Sequence, residues 1–209
     1  MKNASKHADE LKALCKRLLK EYKPEPRTTL EPLKALVRGM LSFDATDSRA
    51  DDAMAVIEKE FCDLNELRVA TDLEIQEMLG TRYPQIETRV AMMTQDLNFI
   101  FEKEHTLNLN RLKESGKKEI RQFLRDLPEM NPFVDGYVML FAFEAGAMPV
   151  DQEILEYLKE EEVVEPDATV EDAQKFVENQ LKTEELHDFF VAVRQAAVDS
   201  PKSKKKAKA

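Results

Sequence analysis

The chain has 209 residues, 34% charged and 43% hydrophobic, with five glycines and no tryptophan, enough to bury one sizeable core or two smaller ones. Leu, Glu, Lys and Ala without alternating apolar and polar runs argue against strands and for an all-α protein, and with no run of about 18 apolar residues nothing is expected to span a membrane. The net charge of −10 conceals a split, because the last ten residues, SPKSKKKAKA, hold five lysines and no acid. Of 31 basic residues, 26 then remain against 41 acidic ones, a net of −15 over residues 1–199. Such a body is a poor electrostatic footprint for nucleic acid.

The first segment, MKNASKHADELKALCKRLL, is charged throughout and amphipathic, which argues against a signal peptide and for a cytoplasmic protein. Leu11, Leu14, Cys15, Leu18, Leu19 and Tyr22 form a helical stripe, and Lys23-Pro24-Glu25-Pro26 ends it in a linker. A second helix carries Leu30, Leu33, Val37, Met40 and Leu41. After the capping residues Ser42, Thr46 and Asp47, a third is marked by Ala50, Ala53, Met54, Ile57 and Phe61. Thr71 and Glu74 form a capping box for a short helix closed by Gly80. Pro84 opens a long helix with Ile86, Val90, Met93, Leu97, Ile100 and Phe101 inward.

Next comes an apolar hairpin. Ile120, Phe123, Leu124 and Leu127 face inward from its first helix, Asp126 to Asn131 make the turn, and Phe133, Val134, Tyr137, Val138 and Phe141 face inward from its second helix. A further turn through Pro149 leads to Val150-Asp151, where Asp151 stands at the mouth of a helix. Two more helices follow, one led by Thr169 with Phe176 and Val177 inward, one from Thr183 with Leu186, Phe189, Phe190 and Val193 inward. About ten helices result. Cys15 and Cys62 are far apart and in no ligand pattern, so two buried, reduced thiols are expected and no metal site.

Two stretches carry a family resemblance. LKALVRGMLSFDATDSRADDAM resembles the leucine-rich helix and Leu-Ser-Ala-Gln-Ala-Thr-Asp signature of the endonuclease III-like helix-hairpin-helix (HhH-GPD) DNA glycosylases. FLRDLPEMNPFVDGYVMLFAFEAGAMPVDQEILEYL resembles their hairpin, apolar helix and catalytic turn. The similarity runs from about Leu11 to Val193. It implies a two-lobed helical fold with a central domain over 24–132 and a second domain formed by 1–23 and 133–199; the like-charge run over 200–209 reads by composition as a lysine-rich, disordered tail.

The resemblance also assigns roles. The family's catalytic aspartate falls on Asp151, in the cleft between the lobes, where a carboxylate at a helix N-terminus stays ionised and can stabilise positive charge on deoxyribose as a base departs. Asp is equally a preferred N-cap. The hairpin that offers backbone amides to a DNA phosphate, and holds a monovalent cation, falls on Leu127, Glu129 and Asn131. Its two glycines are Glu129 and Asn131 here, and Asn131 is the residue able to take a left-handed turn. The lysine that forms a Schiff base is Phe133, so lyase chemistry is not expected. The glutamine that fills the gap left by a flipped base is Asp44, and Tyr137 is a candidate pocket residue. The cysteines of an iron–sulfur cluster are missing.

The implied function is base-excision DNA repair, at most by a monofunctional DNA N-glycosylase acting on duplex DNA through Asp151. The alternative is a catalytically degenerate glycosylase-fold protein that binds a protein partner. Glu129, Phe133, Asp44 and the acidic body favour this alternative, since each removes a contact that DNA chemistry uses.

Overall fold

The computed structural model describes residues 4–200. In chain order the helices are α1 (Ala4–Tyr22), α2 (Pro32–Ser42), α3 (Asp47–Glu60), α4 (Leu64–Val69), α5 (Asp72–Leu79), α6 (Ile86–Glu104), α7 (Lys117–Arg125), α8 (Pro132–Phe141), α9 (Gln152–Glu160), α10 (Val170–Gln180) and α11 (Thr183–Asp199). One turn of 3-10 helix, Asn110–Glu114, precedes α7. The all-α expectation holds, with no strand among the described residues. None of the helices is long and apolar enough to cross a membrane. The expected lysine-rich tail lies outside the described residues, apart from Ser200.

The chain divides into two compact units. One is Leu30–Val138; the other joins the residues up to Thr29 to those from Met139 onward, so the division falls within α8. In the second unit α11 packs on α1 and α9, and α10 on α9 and α1. Its core is built from Leu11, Leu14 and Leu18, from Ile154 and Leu158, and from Val177, Phe189, Phe190 and Val193, all buried. Each such side chain stabilises the fold by roughly 1.5–3 kcal/mol relative to exposure.

In the unit Leu30–Val138, α2 packs on α3 and α6, and α6 also receives α4 and α5. Leu36, Val37, Met40, Leu41, Ile57, Ile75, Val90, Met93, Leu97 and Ile100 supply its core. The termini follow the sequence signals. Thr46 accepts the Arg49 amide to cap α3, Thr71 and Glu74 form the capping box of α5, and Gly80 ends α5 with φ of 88°. One helix was not foreseen and two expectations fail. Helix α4, of six residues with Leu64, Leu67 and the exposed Val69 as its apolar positions, is too short to show a period and rests on its cap: Asp63 accepts from the amides of Asn65 and Glu66 at 2.8 and 3.0 Å. Cys62 is exposed rather than buried, because it lies just past the end of α3. Phe101 is 36% exposed; the buried stripe of α6 runs out at Ile100, and the Arg68 guanidinium covers the Phe101 ring at 4.0 Å.

Two charged side chains lie on the buried face of α6, both without accessible surface, Arg89 and Asp96. Arg89 donates through Nε to the Pro84 carbonyl at 2.6 Å and through its terminal nitrogens to the carbonyls of Met40 and Phe43. It also lies over the Phe43 ring at 4.3 Å. Tyr83 adds a hydrogen bond from its hydroxyl to the Leu41 carbonyl at 2.9 Å. The carbonyls at the end of a helix lack intrahelical donors, and a cation there also meets the negative end of the helix dipole. Arg89 thereby fixes the exit of α2 and the turn into α3.

Asp96 accepts the backbone amide of Glu129 at 3.1 Å through Oδ1, and its buried Oδ2 has no hydrogen-bond partner. Burial pushes its carboxyl from 3.8 up to about 6, with the Glu129 amide pulling the other way and the Glu129 carboxylate adding a smaller push upward.

Each charge makes a testable prediction. Arg89→Met strands buried carbonyls at the end of α2 and is expected to cost about 3 kcal/mol in urea unfolding. For Asp96 the folded protein keeps its proton up to about pH 6, the unfolded chain only to about pH 4. The folded state therefore binds more protons between those values, and the contribution of Asp96 to stability declines as pH rises through that window. Asp96→Asn cannot ionise, so its stability relative to wild type should rise by about 2 kcal/mol from about pH 4 to about pH 7. A flat difference across that range would contradict this assignment.

Candidate functional site

The hairpin turn joins α7 to α8 without any left-handed residue. Among the described residues the positive-φ ones other than glycine are Lys23, Asp44, Gln85, His105, Glu144 and Glu162, so Asn131 does not take the left-handed turn open to it. Its side chain caps α8 instead: Oδ1 accepts the Val134 amide at 2.9 Å, and its carbonyl accepts from Asp135 at 3.0 Å. Pro132 then occupies the first helical position, where its missing N–H costs nothing. A glycine is therefore not needed at this turn. Leu127 is buried with its side chain in the core, while the side chain of Glu129 is exposed. The amide of Glu129 is turned to Asp96.

At the second position of interest, the turn between α2 and α3, Asp44 is exposed with φ of 48°. Its Oδ2 accepts from the Gln85 side chain at 3.1 Å. Asp is one of the few side chains that tolerates this backbone region, which gives Asp44 a local reason to be there. Phe43 is half-buried beneath Arg89.

Phe133, at the expected lysine position, is 3% exposed and stacks on Tyr137 with centroids 6.1 Å apart and planes at 28°. Tyr137 is equally buried. It lies against α2 at Gly39, where a Cβ would come within 3.2 Å of the tyrosine ring. Tyr137 thus fills space between α8 and α2 within the unit Leu30–Val138, and no amine is present at this position.

Asp151 belongs to the other unit. It is the N-cap of α9, with φ of −105° and ψ of −177°, and its Oδ1 accepts the Ile154 amide at 2.9 Å. Its Oδ2 accepts from Arg194 Nη1 of α11 at 3.1 Å, with both side chains 4% exposed. Arg194 in turn lies 5.8 Å from the Phe190 ring centroid. The carboxylate is therefore both a helix cap and half of a buried ion pair.

The sequence stripes did not single out Arg89, Asp96 or Arg194. A signal was present: each charge sits one helical turn from buried apolar residues of the same helix, Arg89 beside Met92 and Met93, Asp96 beside Met93 and Ile100, Arg194 beside Phe190 and Ala197. A charge within an apolar stripe is a buried-charge candidate. Among the described residues no group of three or more His, Cys, Asp or Glu is placed to hold a metal ion.

No family model and no curated protein matches this sequence. Solved structures do match. A trapped covalent intermediate of endonuclease III with DNA aligns with a TM-score of 0.71 at 13% identity, covering 90% of this chain and 84% of that one. The 8-oxoguanine glycosylase/lyase of Clostridium acetobutylicum, in complex with duplex DNA containing cytosine opposite 8-oxoG, gives 0.71 at 17% identity over 93% and 70%. A thermostable thymine-DNA glycosylase gives 0.68 at 14% identity over 92% and 89%. The expectation drawn from the hairpin and from the Val150-Asp151 turn is met at the level of architecture: the chain has the helix-hairpin-helix, HhH-GPD fold of the DNA glycosylases.

Proposed function

We propose that this chain is a glycosylase-fold protein that has given up base excision and acts as a binding module for a protein partner. The observation that carries this is the state of Asp151. A carboxylate that stabilises a developing sugar cation, or activates a water, needs lone pairs free to face the substrate. Here one oxygen is held by the Ile154 amide and the other by a buried guanidinium. Phe133 supplies no amine for a Schiff base, and the net charge of −15 before the lysine tail opposes a polyanion.

The cofactors of such folds fit this chain poorly. A four-thiolate cluster needs more than two cysteines, and of the two present Cys15 is buried, its thiol pushed up to about 11 by burial and then by Glu185 and Asp188. A hairpin cation would draw on turn carbonyls, yet those of Leu127 and Asn131 already accept from the amides of Met130 and Asp135.

A second reading, a monofunctional glycosylase acting through Asp151, is favoured by the carboxylate's place at the N-terminus of α9 in this fold. It requires the Arg194 pair to open. The readings are separated by incubating the protein with lesion-bearing duplexes: no base release is expected, whereas release that Asp151→Asn abolishes would overturn the proposal.

Stability gives an independent measure. As a structural pair, Asp151→Asn should cost about 3 kcal/mol by leaving Arg194 buried without its counter-charge. The double variant Asp151→Asn with Arg194→Met should recover part of that loss in a double-mutant cycle. Functional aspartates commonly show the opposite, a gain in stability on removal.

A further inference from the structure

We propose that the groove between the end of α6, the 3-10 turn and the start of α7 takes an acidic peptide segment of a partner protein, one that mixes carboxylates with apolar side chains. This names the partner's chemistry for the protein-binding reading above and rests on that reading.

The charge pattern singles out this surface. Residues 111–125 hold six basic residues against the two acids Glu114 and Glu119, a net of +4 within a body of −15. Part of this stretch lines a groove of about 560 Å³, with Arg111 and Lys118 joined there by Lys103 of α6 and by Leu112 and Phe123. All of these residues belong to the unit Leu30–Val138, and the volume falls in the range of ligand pockets. Two of the cations are fixed from within. Lys103 Nζ lies 4.8 Å from the Phe123 ring centroid and pairs with Asp126 at 3.3 Å; the Arg111 guanidinium lies 5.2 Å from the same ring and pairs with Glu104. Lys118, and beside the groove Lys113 and Lys117, are exposed and make no ion pair among the described residues. Their charge is available to an incoming carboxylate, and it extends the positive surface beyond the groove, so the ligand is longer than a single anionic group.

The rest of the lining selects a peptide over a polyanion. Leu112 and Phe123, both buried, give the groove an apolar base, and the stems of the long cationic side chains add apolar surface beneath their charged ends. Glu119 and Asp126 also line the groove. An unbroken row of phosphates would face those carboxylates, whereas a peptide can set an apolar residue there. A duplex also carries one charge about every 1.7 Å of its axis and runs past the groove. The residues of 1–199 outside 111–125 carry the difference between −15 and +4, a net of −19, and their repulsion reaches over a screening length of about 8 Å at physiological salt. A short peptide meets only the local positive charge.

The test uses the full chain with a labelled peptide of repeated Glu-Glu-Leu triplets, an all-glutamate peptide of equal charge and a short DNA duplex, at low and at physiological salt. The mixed peptide should bind, less tightly as salt rises, and the other two should bind more weakly than it does. Lys118→Glu should weaken the mixed peptide about fivefold, the effect of losing one exposed charge pair and gaining a repulsion. This substitution puts an acid in the first turn of α7, where acids favour the helix, so the weakening is not a sign of unfolding. Gly116→Phe should weaken binding by standing in the groove: Gly116 lines it, nothing lies within 4 Å of an added Cβ, and its φ of −71° suits any residue. Absence of peptide binding overturns the proposal, as do equal affinities of the wild type and both variants. A duplex or an all-glutamate peptide bound as tightly as the mixed one overturns it too. Failure here removes the acidic partner and leaves the loss of base excision standing, whereas base release in the lesion assay would sink the proposed function without changing which ligand this groove prefers.

Discussion

The ion pair between Asp151 and Arg194 is the constraint on which the functional conclusion rests. Removing two charges from water costs several kcal/mol each, and only close geometry with satisfied lone pairs returns it. Both conditions are met. The carboxylate has one oxygen on the Ile154 amide and the other on the guanidinium at 3.1 Å, so the pair ties the first turn of α9 to the interior of α11. An arrangement that good as a fastener is poor as a catalyst, because reaction would require breaking what holds the helix end in place.

The hairpin is likewise held by internal hydrogen bonds. A glycine turn leaves amides outward-facing and the backbone close to whatever binds. This turn has an asparagine cap, a proline at the first helical position and a carboxylate beneath it. Those residues settle the turn's hydrogen bonds internally. Each of these residues has a local role in the protein itself: Asn131 caps α8, Glu129 donates its amide to Asp96, and Phe133 stacks on Tyr137.

Much of the architecture was legible because it depends on local rules. The stripes Leu11 to Leu18 and Val90 to Ile100, the caps Thr46, Thr71 and Thr169, and Gly80 all act where their residue types say they should. What escaped was non-local or too short. Helix α4 has too few residues to display a period, and Cys62 is exposed because α3 ends one residue earlier than its apolar stripe. Asp151 was identifiable as a cap from its position, but its partner Arg194 lies 43 positions away and nothing local connects them. The same holds for Asp96 and the Glu129 amide, 33 positions apart.

Those non-local contacts share a logic of their own. Arg89 and Asp96 lie two turns apart on one face of α6, and each meets the backbone pole opposite to its charge. The guanidinium takes the electron-rich carbonyls of Met40 and Phe43 at the end of α2; the carboxylate takes the electron-poor amide of Glu129. A single buried helix face therefore sets both the turn that holds Asp44 and the hairpin that holds Glu129. Because each charge satisfies backbone groups of its loop, rearranging either loop gives up those hydrogen bonds. For Arg89 neutralisation is out of reach, since a guanidinium keeps its proton at any physiological pH. Asp96 is the anchor whose charge varies with pH, its carboxyl pushed up to about 6 by burial.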